Sequence, residues 1–359
     1  MLIKFTPSGI FCEQAGIYID PWKPVHQAVI THAHSDHARW GMKNYLAHKD
    51  SEPILRLRLG EKISLQTVGY NEPVFINGVK LSFHPAGHVP GSAQVRLEYK
   101  GEVNVVSGDY KTEYDGLSTA FEPVKCNVFV TESTFGLPIY RWQSQREIFD
   151  EINAWWKQNQ AEGFTSVLYG YSLGKAQRII HNVDHNIGRI FTHGGVESTN
   201  RAFRRFDIDI HETTLVNSDV HKDEYKGNLV IAPPSAMNST WLKRFLPYRE
   251  AVCSGWMALR GARRRRNVAK GFALSDHADW PGLNDAVAAT GAEKVFVTHG
   301  YSDIFAQWLR EQGLDAEPIT TEFGGDEVDE TTAENTAEAL SDTASQSTEP
   351  ESGSDESVH

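Results

Sequence analysis

The chain has 359 residues, 40% of them hydrophobic, with nine tryptophans and a formal net charge of −12. That length supports one large or two ordinary domains with a substantial core. No 18-residue apolar run marks a membrane span, and Met1 to Gly16 lacks the basic-then-apolar order of a secretion signal. The three separated cysteines, Cys12, Cys126 and Cys253, argue against a disulfide framework or a cysteine zinc site and suit a reducing cytoplasm. Charge is uneven: residues 326–359 hold eleven acidic and no basic side chains, which leaves about −1 for residues 1–325. That tail has almost nothing to bury and reads as disordered and solubilising.

In chain order, residues 2–30 alternate short apolar runs with Gly and Pro, the texture of β-hairpins, and Ile17-Tyr18-Ile19 ends at Asp20. Ala28-Val29-Ile30 reads as a buried strand running into Thr31-His32-Ala33-His34-Ser35-Asp36-His37. Three imidazoles and a carboxylate so close together suit a dication such as zinc, which takes nitrogen and oxygen ligands. They are too many for one ion held by adjacent residues. The economical arrangement is two ions, with His32 and His34 on one and Asp36 and His37 on the other. Residues 40–105 continue as short strands, with a helix expected near Pro53 to Leu59.

A regularity then runs through the chain. Val103-Asn104-Val105-Val106 leads to Asp109, and Val128-Phe129-Val130-Thr131 to Glu132. Phe272-Ala273-Leu274 leads to Asp276 and His277, and Val295-Phe296-Val297-Thr298 to His299. Each apolar run delivers a carboxylate or imidazole at its C-terminal end, so loops at one edge of a rigid sheet can converge on one site. Between Glu132 and His277 the texture changes. Ile148, Phe149, Ile152, Trp155 and Trp156 fall at helical spacing. Ser166-Val167-Leu168-Tyr169 precedes a turn and helix start at Ser172-Leu173-Gly174-Lys175-Ala176-Gln177-Arg178. Further strands near 188–191 and 228–232 predict an α/β segment with a parallel sheet. Asp303 to Gln312 reads as an amphipathic helix ended by Gly313.

The set Asp20, His32-x-His34-x-Asp36-His37, His88, Asp109 and His299 resembles the metallo-β-lactamase superfamily. Thr131-Glu132-Ser133-Thr134-Phe135-Gly136, Ser275-Asp276-His277 and Thr298-His299-Gly300 resemble the later motifs of its β-CASP branch, which cleaves nucleic acids. Over nearly all of 1–325 the chain is similar to the bacterial ligase-associated DNA exonuclease family. Phe83-His84-Pro85-Ala86-Gly87-His88, Leu137-Pro138-Ile139-Tyr140-Arg141-Trp142 and Ser254-Gly255-Trp256-Met257 carry that likeness. The resemblance implies an α/β fold in which residues 1–139 and 269–325 form a metallo-β-lactamase αββα sandwich. A β-CASP insert at 140–268 interrupts it and covers the substrate cleft, and the acidic tail at 326–359 lies outside.

By the same resemblance, His32, His34 and His88 hold one divalent ion, Asp36, His37 and His299 hold the other, and Asp109 bridges them. Zinc and manganese both suit such ligands. Water shared by two dications ionises near neutral pH, and the resulting hydroxide would attack a phosphodiester. Asp20 would orient the ligands by hydrogen bonding. His277 would donate a proton to the leaving oxygen or clamp the scissile phosphate, with Glu132 holding it charged and oriented. Asp36 and Asp109 complete the catalytic group. His84 and the echo Thr192-His193-Gly194 compete with His88 and Thr298-His299-Gly300. The Gly87-His88 pair and the position after the insert favour His88 and His299.

Ser172 and Lys175 at a helix start, and Ser254 with Arg260, are candidate phosphate contacts. Arg263, Arg264, Arg265 and Arg266, with Lys270, form the concentrated basic run and would grip a phosphate backbone. Trp142, Trp241 and Trp256 are candidates for base stacking, although core packing is tryptophan's commoner fate. The expected protein is a cytoplasmic two-metal DNA exonuclease, 5′ to 3′ by resemblance and with added endonuclease activity left open, that serves DNA repair beside a DNA ligase and a helicase. An RNA-processing nuclease of the same branch is the alternative. A small-molecule metallo-hydrolase is a poorer match to the Glu132 and His277 segments.

Overall fold

The computed structural model describes residues 1–259 and 270–322. The acidic tail, Arg260 and the basic run Arg263, Arg264, Arg265 and Arg266 lie outside the described residues. Short apolar runs broken by Gly and Pro become strands. β1 (Ile3–Thr6), β2 (Gly9–Cys12), β3 (Ile17–Ile19), β4 (Gln27–Ile30), β5 (Asn44–His48) and β6 (Leu65–Val68) make one sheet in sequence order. It is antiparallel as far as β3 and parallel beyond. Helix α1 (Glu52–Leu59) crosses between β5 and β6, at the position expected.

A second sheet begins with β7 (Val74–Ile76), β8 (Val79–Pro85), β9 (Ala93–Tyr99), β10 (Glu102–Val106) and β11 (Val128–Glu132). The chain then leaves it for α2 (Gln145–Ala161), whose Ser144–Glu147 capping box satisfies first-turn amides. Ile148, Phe149, Ile152 and Trp156 are buried there, as the helical spacing requires, with Trp155 half-buried against the same core. A third sheet follows from β12 (Thr165–Tyr169), β13 (Ile190–Thr192), β14 (Thr214–Leu215), β15 (Leu229–Ala232), β16 (Tyr248–Cys253) and β17 (Gly271–Phe272). Its order is β14-β13-β15-β12-β16-β17 and every pairing is parallel. Helices α3 (Lys175–Asn182) and α4 (Gly194–Arg204) connect its strands. The last strand falls beyond residue 268, where the sequence placed the end of the insert, because Val252 and Cys253 pair with Gly271 and Phe272. After α5 (Trp280–Thr290), the chain returns to the second sheet with β18 (Lys294–Thr298), α6 (Ser302–Glu311) and β19 (Asp315–Pro318). The second sheet's order is therefore β19-β18-β11-β10-β9-β8-β7.

Strand side chains alternate between faces, so neighbouring residues serve different layers. Val29 joins Ile10, Ile19, Leu81, Val95 and Val130 in the core between the first two sheets. Its neighbours Ala28 and Ile30 point the other way, into a cluster with Ile54 and Leu55 of α1 and with Leu168 and Ile231 of the third sheet. In the second sheet Val128 and Val130 face the first, while Phe129 packs under α5 and α6 with Leu283 and Phe305. Layers of helix, sheet, sheet and helix result, and the third sheet shares a continuous core with the first. Burial on both faces explains why these strands read as unbroken apolar runs. Helix α5 was not expected. Asp279 caps it, Pro281 sits in its first turn and Gly291 ends it in a left-handed conformation, all signals visible in the sequence.

Candidate metal centre

β10, β11 and β18 are parallel neighbours, so the residues that follow them emerge at one edge of the second sheet. β4, in the facing sheet, brings Thr31 to His37 to the same place. Ligand atoms of His32, His34, His88 and Asp109 lie within 4.8 Å of one another, as do those of Asp36, His37 and His299. A third group, Asp109, Glu132 and His277, adjoins the first through Asp109. Asp109 Oδ2 lies 3.5 Å from His32 Nε2, 3.9 Å from His88 Nε2 and 3.5 Å from His37 Nε2, so it faces both histidine groups.

Hydrogen bonds decide which ring nitrogen each histidine turns inward. Asp20 accepts from Thr31 N at 2.8 Å and from His37 Nδ1 at 2.7 Å, which directs His37 Nε2 at the cluster. Thr31 Oγ1 lies against both Asp20 and His32 Nδ1. His88 Nδ1 donates to Asp276 O at 2.8 Å, leaving its Nε2 facing His34 Nδ1 at 3.0 Å. Thr298 Oγ1 holds His299 Nδ1 at 2.7 Å, and the His299 ring stacks on His37 at 5.2 Å. The turns are demanding. His299 and Gly300 both have positive φ, and a Cβ on Gly300 would meet Ser133 O and Thr134 Cα at 2.5 Å. Beside His88, a Cβ on Gly87 would meet Lys111 O at 2.3 Å. Only glycine suits such a conformation at such contacts.

The donor set fits divalent cations. His32 Nε2 and Asp109 Oδ1 are buried with no hydrogen-bond partner among the described residues, and a buried polar atom without one is costly. Burial alone would raise the Asp109 carboxyl, yet His37 and His299 hold it well below the usual carboxylate range, in the ligating form. Burial drives His32 well below its ordinary value, so it is neutral, as a ligand must be. Burial opposes protonation of His37 too, but Asp36, Asp109 and Asp20 outweigh it and raise its pKa well above normal.

Glu132 ends β11. Its Oε1 accepts from Tyr110 N at 2.7 Å, and His277 Nδ1 lies 3.0 and 2.8 Å from its two oxygens. With Nδ1 engaged by Glu132, Nε2 is the other ring nitrogen of His277. The competitors lie apart from these groups. His193 caps α4 and packs on Trp241. His84 sits within β8, where Ser82 Oγ is 3.0 Å from its Nε2.

Burial, then the charges of Arg96 and Lys80, lower the His84 pKa to about 4. The unfolded value is about 6.5. The folded chain therefore binds fewer protons, and this contribution to stability is complete above about pH 6.5 and is lost as pH falls toward 4. His84→Gln should flatten the decline of the urea midpoint across that window, compared with the parent at each pH. An unchanged decline would count against this environment for His84.

The expected phosphate contacts separate differently. Lys175 is buried, with Nζ 3.4 Å from Asp276 Oδ2 and over the Tyr171 ring, so it closes an internal ion pair. A buried ammonium needs such a counter-ion. Burial would raise the Asp276 carboxyl, but Lys175 and Arg178 hold it at about 2. Ser172 is buried beside them, and Ser254 caps a short turn by accepting from Trp256 N. Trp142 and Trp256 are half-buried and pack on Phe135, and Trp142 Nε1 donates to His277 O. Trp241 packs on His193 and Phe245. Sequence reading gave no role to Thr31 or Arg178 and none to the Asp276 carbonyl, although these orient the histidines and hold the turn that carries His277. Thr31 and Asp276 adjoin histidine motifs in sequence, whereas Arg178, in the first turn of α3, has no such neighbour.

No family model matches the chain. It is 28% identical over 319 residues to a protein named "Probable DNA ligase" from Opitutus terrae, covering 88% of this chain and 30% of that one. It is 32% identical over 124 residues to Endoribonuclease YSH1 of Saccharomyces cerevisiae, covering 33% of this chain and 15% of the relative. With Cleavage and polyadenylation specificity factor 73 of Drosophila melanogaster it shares 26% over 162 residues, 43% of this chain and 23% of that one. The chain thus spans less than a third of the length of these curated relatives. A crystal structure of a protein of unknown function from Enterococcus faecalis is similar in fold, with a TM-score of 0.56 and 11% identity over 83% of this chain and 80% of that one. No helix among the described residues is long and apolar enough to cross a membrane. In its motifs and its relatives, the chain resembles the β-CASP branch of the metallo-β-lactamase superfamily.

Proposed function

We propose that this chain is a metal-dependent nuclease that hydrolyses phosphodiesters at DNA ends, as a 5′-to-3′ exonuclease in repair, alongside a DNA ligase and a helicase. The observation that carries the reading is one carboxylate, Asp109, facing two histidine groups and a Glu132–His277 pair at a single sheet edge. On this reading the first two sheets and their helices belong to the αββα sandwich of residues 1–139 and 269–325, and the third sheet, apart from its edge strand β17, is the core of a β-CASP insert at 140–268.

His32, His34 and His88 would hold one zinc or manganese ion, Asp36, His37 and His299 the other, with Asp109 shared. When bound, the ions supply Lewis acidity toward phosphate oxygens and make water a nucleophile near neutral pH. The chain's own residues do the rest. Asp20 and Thr31 keep His37 and His32 in the ligating orientation. Glu132 holds His277 Nδ1, so that Nε2 can pass a proton to the departing oxygen.

The names of two relatives, Endoribonuclease YSH1 and Cleavage and polyadenylation specificity factor 73, favour RNA as the second reading. One experiment tests both. Matched DNA and RNA strands, labelled at either end and with or without a 5′ phosphate, are followed over time in zinc, manganese or magnesium. DNA shortened from its 5′ end, with activity lost on chelation and restored by metal, is the expected result. Clear RNA preference would replace the first reading with the second. Undiminished cleavage by metal-stripped protein would end both.

A further inference from the structure

The entry turn of α3 touches three segments of the metal centre at once, although it belongs to the third sheet. Leu173 O accepts from His34 Nε2 at 3.3 Å. Gly174, at φ +88°, lies so close to the His88 loop that a Cβ there would meet Val89 Cγ1 at 2.4 Å. Arg178 is buried; its Nη1 donates to Ser275 O and lies 3.2 Å from Asp276 Oδ1, while Nε donates to Gln145 Oε1 at 2.7 Å. The turn it grips does two jobs. Asp276 O accepts a hydrogen bond from His88 Nδ1, and the next residue is His277. A guanidinium suits this work because its planar fork satisfies several acceptors in fixed directions, which a lysine cannot do.

Resting on the nuclease reading above, we propose that Arg178 is a positioning residue. By fixing Ser275 and Asp276 it sets the tautomer and aim of His88 and the placement of His277, and so makes a competent metal centre depend on the docked third sheet. Side chains that orient ligands from behind tune metal affinity about 10–100-fold.

The test compares Arg178→Lys and Arg178→Gln with the parent full-length chain. Zinc affinity is read by competition with a chromophoric chelator, and thermal midpoints and DNA cleavage at saturating manganese are measured alongside. The expected result is about a 10–100-fold weaker zinc affinity, with kcat lowered by a similar factor and KM within about threefold. Arg178→Gln should be the more severe, and Arg178→Lys should recover part of the loss. If Arg178→Gln does not fold, Arg178→Lys, which keeps charge beside Asp276, decides alone. Folded variants with parental zinc affinity and kcat, changed only in thermal midpoint, would overturn the proposal. A metal-loaded parent that cuts no phosphodiester would count against the nuclease reading instead, and the zinc arm would still report on Arg178.

Discussion

Asp109→Ala is expected to lower cleavage of end-labelled DNA by about 10³-fold or more while the chain stays folded, because it removes the electrostatic core of the site. Asp109 Oδ2 lies within 4 Å of imidazoles from both ligand groups. Two dications side by side repel strongly in a poorly solvated site, and a shared anion offsets that repulsion. Without it, the protein should also bind fewer than two ions per chain, read by elemental analysis after dialysis. Asp109→Asn keeps the shape but not the charge and should behave alike, which separates electrostatics from packing. A folded Asp109→Ala chain that holds two ions and cuts at the parental rate would remove the basis of the assignment.

His277→Ala should act later in the reaction and leave the metals in place. A positioned proton donor contributes about 10²–10⁴-fold, so kcat should fall by that order with metal content unchanged. The carboxylate of Glu132 holds His277 Nδ1 through both oxygens, so Glu132→Gln should cost part of the same factor. Leaving-group chemistry distinguishes the two roles considered for His277. A nitrophenyl phosphodiester releases a weakly basic oxygen that needs no proton. If His277 is the proton donor, His277→Ala should be far less damaging on that ester than on DNA. Equal damage on both substrates would instead make it a phosphate clamp.

Much of this molecule is legible along the chain because its signals are local. Apolar runs with short spacing made strands, the 3.6-residue period exposed the buried face of α2, and four potential ligands between His32 and His37 marked the centre. The runs ending at Asp109, Glu132 and His299 share an edge because β10, β11 and β18 are parallel neighbours, a pairing that strand-end chemistry hinted at but could not order. Only the tertiary structure decided the rest. It turned Lys175 inward onto Asp276, set His193 as a helix cap, spread Asp109 across both histidine groups and chose the inward nitrogen of His88 through a carbonyl at Asp276, 188 residues away in sequence. Those outcomes depend on hydrogen-bond directions and charge pairings between segments that meet only when long loops close. No local period or motif encodes the direction of such a bond.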